Sequence, residues 1–389
     1  MVETSEAPVL HVARGLEGVI AAATHISEVD GERGRLTLRG YDITQLAGRA
    51  DFAEVAYLLW HGRLPNRAEY EALSAEIAAG RDLPEPILEG LRLIGREATG
   101  MHALRMATSL LSIGDPNADS LDLEACRRRA ARIQGQMSAL VAHAARIAAG
   151  REIVPPKPEH TLAQGFLYML EGEEPTKARV DGLNAYLTAV SEHGLNASTF
   201  TGRCVVSTDS DMVSAMTAAV GALKGPKHGG VPGPVLKMLE EIGTPDRTEE
   251  YIRKEIAAGR RIMGFGHRVY RVRDPRAQIL ADAAERMSRV TGDRRLLHLT
   301  EWVERITVRV LNELKPGRAL YANVELYAAL ILHAVGIPSE IFTNMFAVGR
   351  TAGWTAHMLE QIEDNRLIRP SAIYVGPRGL TWTPMEERA

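Results

Sequence analysis

The sequence predicts an all-α protein, and three observations carry the prediction. Beyond residue 40 apolar residues recur every three or four positions, the spacing that lines one face of a helix. Ala-rich segments long enough for several helical turns alternate with charged residues. Period-two strand patterns are almost absent after the same point, which leaves helix packed on helix. No repeat of fixed period and no low-complexity tract interrupts this texture.

The exception comes first in the chain. Gly15 to Ile43 is rich in Gly, Thr, Ile and Val and reads as a short β-rich or irregular segment with turns. From Ile43 the helical spacing takes over, through Leu46, Ala50, Phe52, Val55, Leu58 and Leu59, with Asp51 placed to cap a second helix. Leu64-Pro65-Asn66 is a stop, Arg67 to Ala79 is helical again, and Pro84 and Pro86 open Ile87 to Ile94. Ala103–Ile113 and Leu123–Ala149 are strong Ala-rich helices, parted by Asp115-Pro116-Asn117. After a loop at Pro155 to Pro158 come Leu162–Leu170, Val180–His193, Asp209–Leu223 and Pro234–Glu241. Ala277–Thr291, Arg294–Leu314, Glu325–Val335 and Phe346–Ile362 complete the set. Gly and Pro cluster at Gly225–Pro234, Gly264–Gly266 and Pro316–Gly317, bracketing residues 226 to 330. These are either hinges of a mobile subdomain or ordinary helix-ending loops.

With 389 residues, 45% hydrophobic and 24% charged, the chain can bury a large core and has an ordinary globular composition. Its net charge of −3 argues against a nucleic-acid binder, which carries a positive excess. No uncharged apolar run reaches the roughly 20 residues of a membrane span, and the longest, Leu326 to Ser339, contains His333. Met1 to Pro8 carries Glu3 and Glu6 without a basic-then-apolar leader, so no secretory signal is expected. Cys126 and Cys204 make neither a disulfide framework nor a zinc site. A cytoplasmic enzyme with reduced thiols is the expectation.

One stretch breaks the helical pattern. From Arg253 to Arg276 there are eight Lys/Arg against two acids, Glu255 and Asp274, a local net of +6. Within it Gly264-Phe265-Gly266-His267 sets a histidine beside two glycines, ahead of an Asp274-Pro275 turn. Concentrated positive charge beside a glycine-loosened histidine suggests a site for an anionic substrate. Three more polar clusters stand out: Ser191–Phe200 with His193, Lys224–Gly230 with His228, and Asn323-Val324-Glu325 at the head of an apolar helix.

Taken singly, each has a bland explanation. A histidine is most often a surface or satisfied core residue, a glutamate at a helix N-terminus complements the macrodipole, and glycine turns end helices. The combination points further, because two of the histidines lie in glycine turns that let backbone approach a ligand. One carboxylate and two histidines suffice for carbon-acid chemistry. The carboxylate removes a proton beside a carbonyl, and a neutral histidine donates a hydrogen bond to the oxygen that becomes the enolate. Other catalytic sets are missing: there is no Gly-x-Ser-x-Gly elbow, no Gly-x-x-x-x-Gly-Lys-Ser/Thr loop, half a dinucleotide fingerprint, and no helical zinc pattern.

The ordered set Arg39-Gly40-Tyr41-Asp42-Ile43, Glu192–Phe200, Gly225–Gly230, Gly264–Arg276, Asn323-Val324-Glu325 and Gly349–Trp354 resembles citrate synthase, from about Gly15 to Tyr374. The resemblance implies an all-α homodimer with a large helical domain, residues 1–225 and 330–389, and a small mobile domain, residues 226–329. It implies condensation of acetyl-CoA with oxaloacetate and water to citrate and CoA, with no metal and no other cofactor. By position, His228 would hydrogen-bond the thioester oxygen, kept neutral by a nearby helix N-terminus. His267 would polarise the oxaloacetate ketone and protonate its oxygen, and Glu325 would take the methyl proton. Arg276, Arg350 and Arg369 would pair with the two carboxylates, Arg369 reaching across from the partner subunit, and His193 would add a further contact. Arg271 would meet a CoA phosphate, and the backbone of Ile262, Met263, Gly264, Phe265 and Gly266 would lie near the adenine, with Lys315 and Arg318 as weaker candidates.

The chain departs from the family pattern in three places. Glu325 stands where aspartate is usual, His193-Gly194-Leu195-Asn196 replaces His-Glu-Leu-Asn, and Gly229-Gly230-Val231-Pro232 replaces Gly-Gly-Ala-Asn. The longer acid moves its carboxylate by about one methylene, and roughly 1 Å of misplacement can cost 10²-fold. Two alternatives therefore stand beside the first: a 2-methylcitrate synthase using propionyl-CoA, and a non-catalytic paralogue that binds CoA or a dicarboxylate. A methylene is worth only about 1–3 kcal/mol of discrimination, so the residues leave the acyl preference open.

Overall fold

After a short 3-10 helix at Arg14–Leu16 comes a three-stranded antiparallel sheet, β1 (Ser27–Asp30), β2 (Arg35–Leu38) and β3 (Tyr41–Asp42), in that order. Ser27 pairs with Leu38 and Asp30 with Arg35, so Leu36 and Leu38 share one face, and both are fully buried. This computed structural model describes residues 12–388 except 99, 230 and 231. Residues 1–8, where no secretory leader is expected, and Gly230-Val231 of the His228 loop lie outside the described residues.

The regular structure that follows is helical, as the spacing predicts. In order it runs α1 (Ile43–Leu46), α2 (Phe52–His61), α3 (Arg67–Gly80), α4 (Glu85–Glu97), α5 (Gly100–Thr108), α6 (Leu123–Ala148), α7 (Leu162–Glu171) and α8 (Lys177–Val190). Then come α9 (Ala197–Val206), α10 (Met212–Leu223), α11 (Pro232–Ile242), α12 (Thr248–Ala257), α13 (Pro275–Thr291), α14 (Arg295–Leu314), α15 (Val324–Ala334) and α16 (Phe342–Glu363). Asp51 caps α2 by accepting from Ala53 N–H, while the Glu54 carboxylate accepts from Asp51 N–H, a reciprocal box that fixes where the helix starts.

The core forms around α16, buried almost from end to end, which packs on α2, α6, α8 and α9. α8 packs on α13 and α15 as well as on α16. Close approach of α16 to the residues just after α8 depends on Gly353, where a Cβ would lie 2.3 Å from both the Ser191 carbonyl oxygen and Glu192 Oε2. No described helix is long and apolar enough to cross a membrane.

The sequence reading misses two helices and overextends a third. α9 starts inside the polar cluster Ser191–Phe200, capped by Asn196, whose side chain accepts from Thr199 N–H. Its hydroxyl-rich first turn hides the helical period. α12 buries only Thr248 and Ile252 among the residues of a strongly charged segment, too little to register as a pattern. The helix expected over Val180–His193 ends at Val190, because the Ser191 carbonyl turns to accept from Gly353 N–H and the Glu192 carboxylate accepts from Gly194 N–H. That turn releases His193 from the helix.

Candidate active site

Asn323 connects the Gly264–Gly266 turn to the acid at the head of α15. Gly266 N–H donates to the Tyr321 carbonyl at 2.8 Å and Asn323 N–H to the Gly264 carbonyl at 2.9 Å, closing a bridge between Phe265 and Ala322. The Asn323 side chain then donates to the Gly266 carbonyl at 2.9 Å and accepts from Glu325 N–H at 3.0 Å as the cap of α15. One side chain thus fixes the loop of His267 against the turn that carries Glu325.

Asp274 adds a third element. Its carboxylate caps α13 through Arg276 N–H at 3.0 Å, holds the Arg276 guanidinium at 3.0 and 2.7 Å, and accepts from Val324 N–H at 3.2 Å. Both partners are buried, at 1% and 3% exposure, so this two-bond ion pair is held dry against the first turn of α15.

The two glycine-loop histidines are both neutral, for different reasons. His267 Nδ1 accepts from Val269 N–H and Tyr270 N–H, each at 3.0 Å. A nitrogen that accepts backbone N–H groups carries no proton, so the hydrogen of His267 is on Nε2. Burial, reinforced by the Arg276 charge, holds its pKa down at about 4. His228 is turned the other way. Its Nε2 faces the first turn of α9, 2.7 Å from Ser198 Oγ and 3.4 Å from Ser198 N–H, which leaves the hydrogen on Nδ1. Trp354 Nε1–H donates to the same Oγ at 3.0 Å and steadies it. Burial, with Arg350 nearby, holds the His228 pKa at about 4, and the α9 N-terminus acts in the same direction.

His193 joins His267 and Tyr270 in a triangle of rings with centroids 4.7 to 5.4 Å apart, its Nε2 3.2 Å from Tyr270 Oη. Burial, and then the Arg276 charge, drives its pKa well below the ordinary histidine range. Glu325 is 9% exposed, and its Oε2 is buried with no hydrogen-bond partner among the described residues. Burial pushes its pKa up to about 7, against the pull of Arg276 and Arg350. A carboxylate that titrates near neutrality with one unbound oxygen has the properties of a general base.

Arg350 lies buried in α16, its Nε–H donating to the Val190 carbonyl at 2.7 Å and its guanidinium 4.8 Å from the Phe346 ring centre. Neither Nη meets a hydrogen-bond or ion-pair partner among the described residues. Burial draws its pKa down to about 10. A buried guanidinium with two uncommitted nitrogens is a seat for an anion.

Other predicted residues lie outside this cluster. Arg271 has an exposed side chain, and its backbone N–H donates to the Gly31 carbonyl at 2.9 Å. Residues 262–266 lie along the start of α15, with Ile262, Gly264 and Phe265 buried and Met263 and Gly266 partly so. Lys315 is partly exposed and Arg318 exposed. Arg369 is exposed. Its neighbour Ile368 donates to Ser207 Oγ at the C-terminal end of α9, about 14 Å along the helix from Ser198.

The local +6 requires correction. Arg253 pairs with Glu249 and Glu313, Arg260 with Glu255, Arg273 with Glu304 and Arg276 with Asp274. Half of the stretch's cations are therefore matched inside the fold, and Lys254, Arg261, Arg268 and Arg271 are left without an ion pair among the described residues. Sequence reasoning also passes over Asp274, Tyr270 and Ser198. Asp274 ahead of Pro275 has the form of a helix start and was legible as a cap; the other two carry no sequence signal. Among the described residues no group of three or more His, Cys, Asp and Glu could hold a metal ion.

Fold and site together define a helical enzyme arranged for proton abstraction beside a carbonyl. A family model described as citrate synthase, C-terminal domain, matches residues 15–371. The chain is 44% identical over 377 residues to citrate synthase 2 of Bacillus subtilis strain 168, covering 97% of this chain and 99% of that protein. A citrate/2-methylcitrate synthase of the same strain is 36% identical over 369 residues, covering 95% and 97%. A solved ternary complex of citrate synthase from Thermoplasma acidophilum with carboxymethyl coenzyme A and oxaloacetate matches with a TM-score of 0.89 at 31% identity, covering 97% of this chain and 100% of that one. This chain belongs to the citrate synthase family, and the all-α expectation is borne out.

Proposed function

We propose that this protein is a citrate synthase that condenses acetyl-CoA with oxaloacetate and water to give citrate and free CoA. The observation that carries the reading is Glu325, a buried carboxylate with a pKa near 7 and one oxygen without a partner among the described residues, in the field of Arg276 and Arg350, the same two cations that help keep His267 and His228 neutral. Glu325 takes a proton from the acetyl methyl while His228 Nδ1–H donates to the thioester oxygen, which becomes the enolate. The enolate carbon attacks the ketone carbon of oxaloacetate, and His267 passes its Nε2 proton to the ketone oxygen. Water then cleaves the thioester of the product and releases the CoA thiol. Arg276, Arg350 and His193 hold the oxaloacetate carboxylates. Arg271 and the backbone of residues 262–266 receive CoA. The scheme uses neither a metal nor a further cofactor.

The working assembly in this proposal is a homodimer in which Arg369 completes the partner's site, and residues 226–329 close over the substrates. Support for the dimer comes from the extended tail that carries Arg369, where Tyr374, Val375, Leu380 and Trp382 are 60 to 92% exposed. Apolar groups of that size in a row call for a covering surface. A cytoplasmic location belongs to the same proposal, supported by two unpaired thiols, Cys126 and Cys204.

The test is CoA-thiol release from acetyl-CoA and from propionyl-CoA, each with oxaloacetate. Faster release from acetyl-CoA is expected. Faster release from propionyl-CoA would make the protein a 2-methylcitrate synthase. Oxaloacetate binding with no release from either would leave a non-catalytic relative.

A further inference from the structure

We infer that the N-terminal hairpin is a strut that holds the His193 loop and the His267 loop at a fixed spacing, with Ser27, Gly31 and Gly34 as positioning residues for oxaloacetate. The inference rests on the citrate synthase reading for the identity of the ligand. The geometry of the strut stands apart from it.

One end of the strut is fixed at the start of β1. Ser27 Oγ–H donates to Glu192 Oε1 at 2.9 Å and the same Oγ accepts from Gly194 N–H at 3.1 Å, so Ser27 grips the residues on either side of His193. Glu192 is fully buried, and its Oε1 also meets His357 Nε2 at 3.1 Å. His357 Nδ1 in turn accepts from Arg203 Nη1–H at 3.1 Å, which ties this end to α9 and α16. The other end is the turn between β1 and β2, which lies against the loop after His267. The Gly31 carbonyl accepts from Arg271 N–H at 2.9 Å.

A Cβ at Gly31 would sit 2.3 Å from the Val269 carbonyl oxygen, and one at Gly34, where φ is +64°, would sit 2.6 Å from Val272 Cγ2. Neither position has room for a side chain. Val269, pressed at Gly31, is one of the two residues that set the histidine, since Val269 N–H and Tyr270 N–H hold His267 Nδ1, and Tyr270 Oη meets His193. Between its two ends the hairpin is stiff. It is paired in register from Ser27 to Asp30, and Ile26, Leu36 and Leu38 anchor it in the core. Its span from Ser27 to Gly31 is about 13 Å.

The experiment compares Gly31→Ala, Ser27→Ala, Ser27→Thr and, as a control on the same turn, the exposed Glu32→Ala. Gly31→Ala is expected to raise the KM for oxaloacetate roughly 10- to 100-fold, and by a larger factor than the KM for acetyl-CoA, whose proposed contact Arg271 lies on the same loop. Its Arg271 amide should exchange faster with deuterium. Ser27→Ala should raise the oxaloacetate KM by a smaller factor, Ser27→Thr should restore it, and Glu32→Ala should match the wild type. A merely structural hairpin would instead lower the melting temperature and leave the oxaloacetate KM alone, and that result overturns the inference. If Gly31→Ala fails to fold, the Ser27→Ala and Ser27→Thr pair decides, and equal KM values for those two and the wild type sink it. If the wild type itself forms no citrate, the functional reading fails, and the strut is then judged by exchange alone: undiminished Arg271 protection in Gly31→Ala refutes it.

Discussion

His228 sits in the loop between α10 and α11 with its Nε2 turned to the first turn of α9, whereas His267 follows a glycine turn and folds its Nδ1 back on its own next residues. Both rings are partly buried and neutral, and each leaves one N–H without a partner among the described residues, Nδ1 in the first and Nε2 in the second. The difference is where the fixing group comes from. His267 is held by backbone two and three residues on, so no side-chain change removes its partner, and only displacement of the loop can. His228 depends on Ser198, thirty residues earlier in the chain and itself held by Trp354, so a single side-chain change reaches it. Two donors aimed at two carbonyl oxygens are thus set by unlike means, one local and one tertiary.

Neither histidine can replace the base, and the largest expected effect follows from that. Glu325→Gln should lower kcat by roughly 10² to 10⁴ while oxaloacetate binding, followed by calorimetry, stays within a few-fold. Turnover near the wild-type rate would remove Glu325 from the role and leave the two imidazoles without a common partner. Next in size is Arg350→Gln, which takes away a buried cation that has no ion-pair partner among the described residues. A rise of roughly 10- to 100-fold in the oxaloacetate KM is expected, the scale of losing hydrogen bonds to a charged group.

The pH profile sharpens the comparison further. Glu325 must be ionised to act, and its pKa is raised to about 7, so kcat/KM should climb with pH to a plateau above neutrality and stand at roughly one tenth of the plateau at pH 6. The histidines, with pKa values near 4, are neutral throughout that range and should add no second step above pH 5. The smallest effect is expected of Ser198→Ala. It should cost only a few-fold in rate, about what one neutral hydrogen bond contributes, and raise the pKa of His228 but not of His267. Equal shifts in both rings would mean that they are not held separately.

Most of the fold was legible because long helices repeat their buried positions, as α6 and α16 do. α9 and α12 were not, the first because hydroxyl groups occupy its opening turn and the second because it buries so little. In the site, His193, His228, His267, Glu325, Arg276 and Arg350 could be named from ordered motifs. Ser198 and Tyr270 could not, since each acts through a contact across 30 or 77 residues that local sequence does not carry. The charge of the 253–276 stretch misled for the same reason. Its balancing acids include Glu304 and Glu313, which come from α14 and meet Arg273 and Arg253 only after folding.

Nitrogen-15 NMR of the imidazole rings reads the state of the two histidines. At pH 7 the account predicts two neutral rings of opposite tautomer, His228 protonated on Nδ1 and His267 on Nε2, with neither titrating above about pH 5. A cationic ring at neutral pH, or the same tautomer in both, would contradict it.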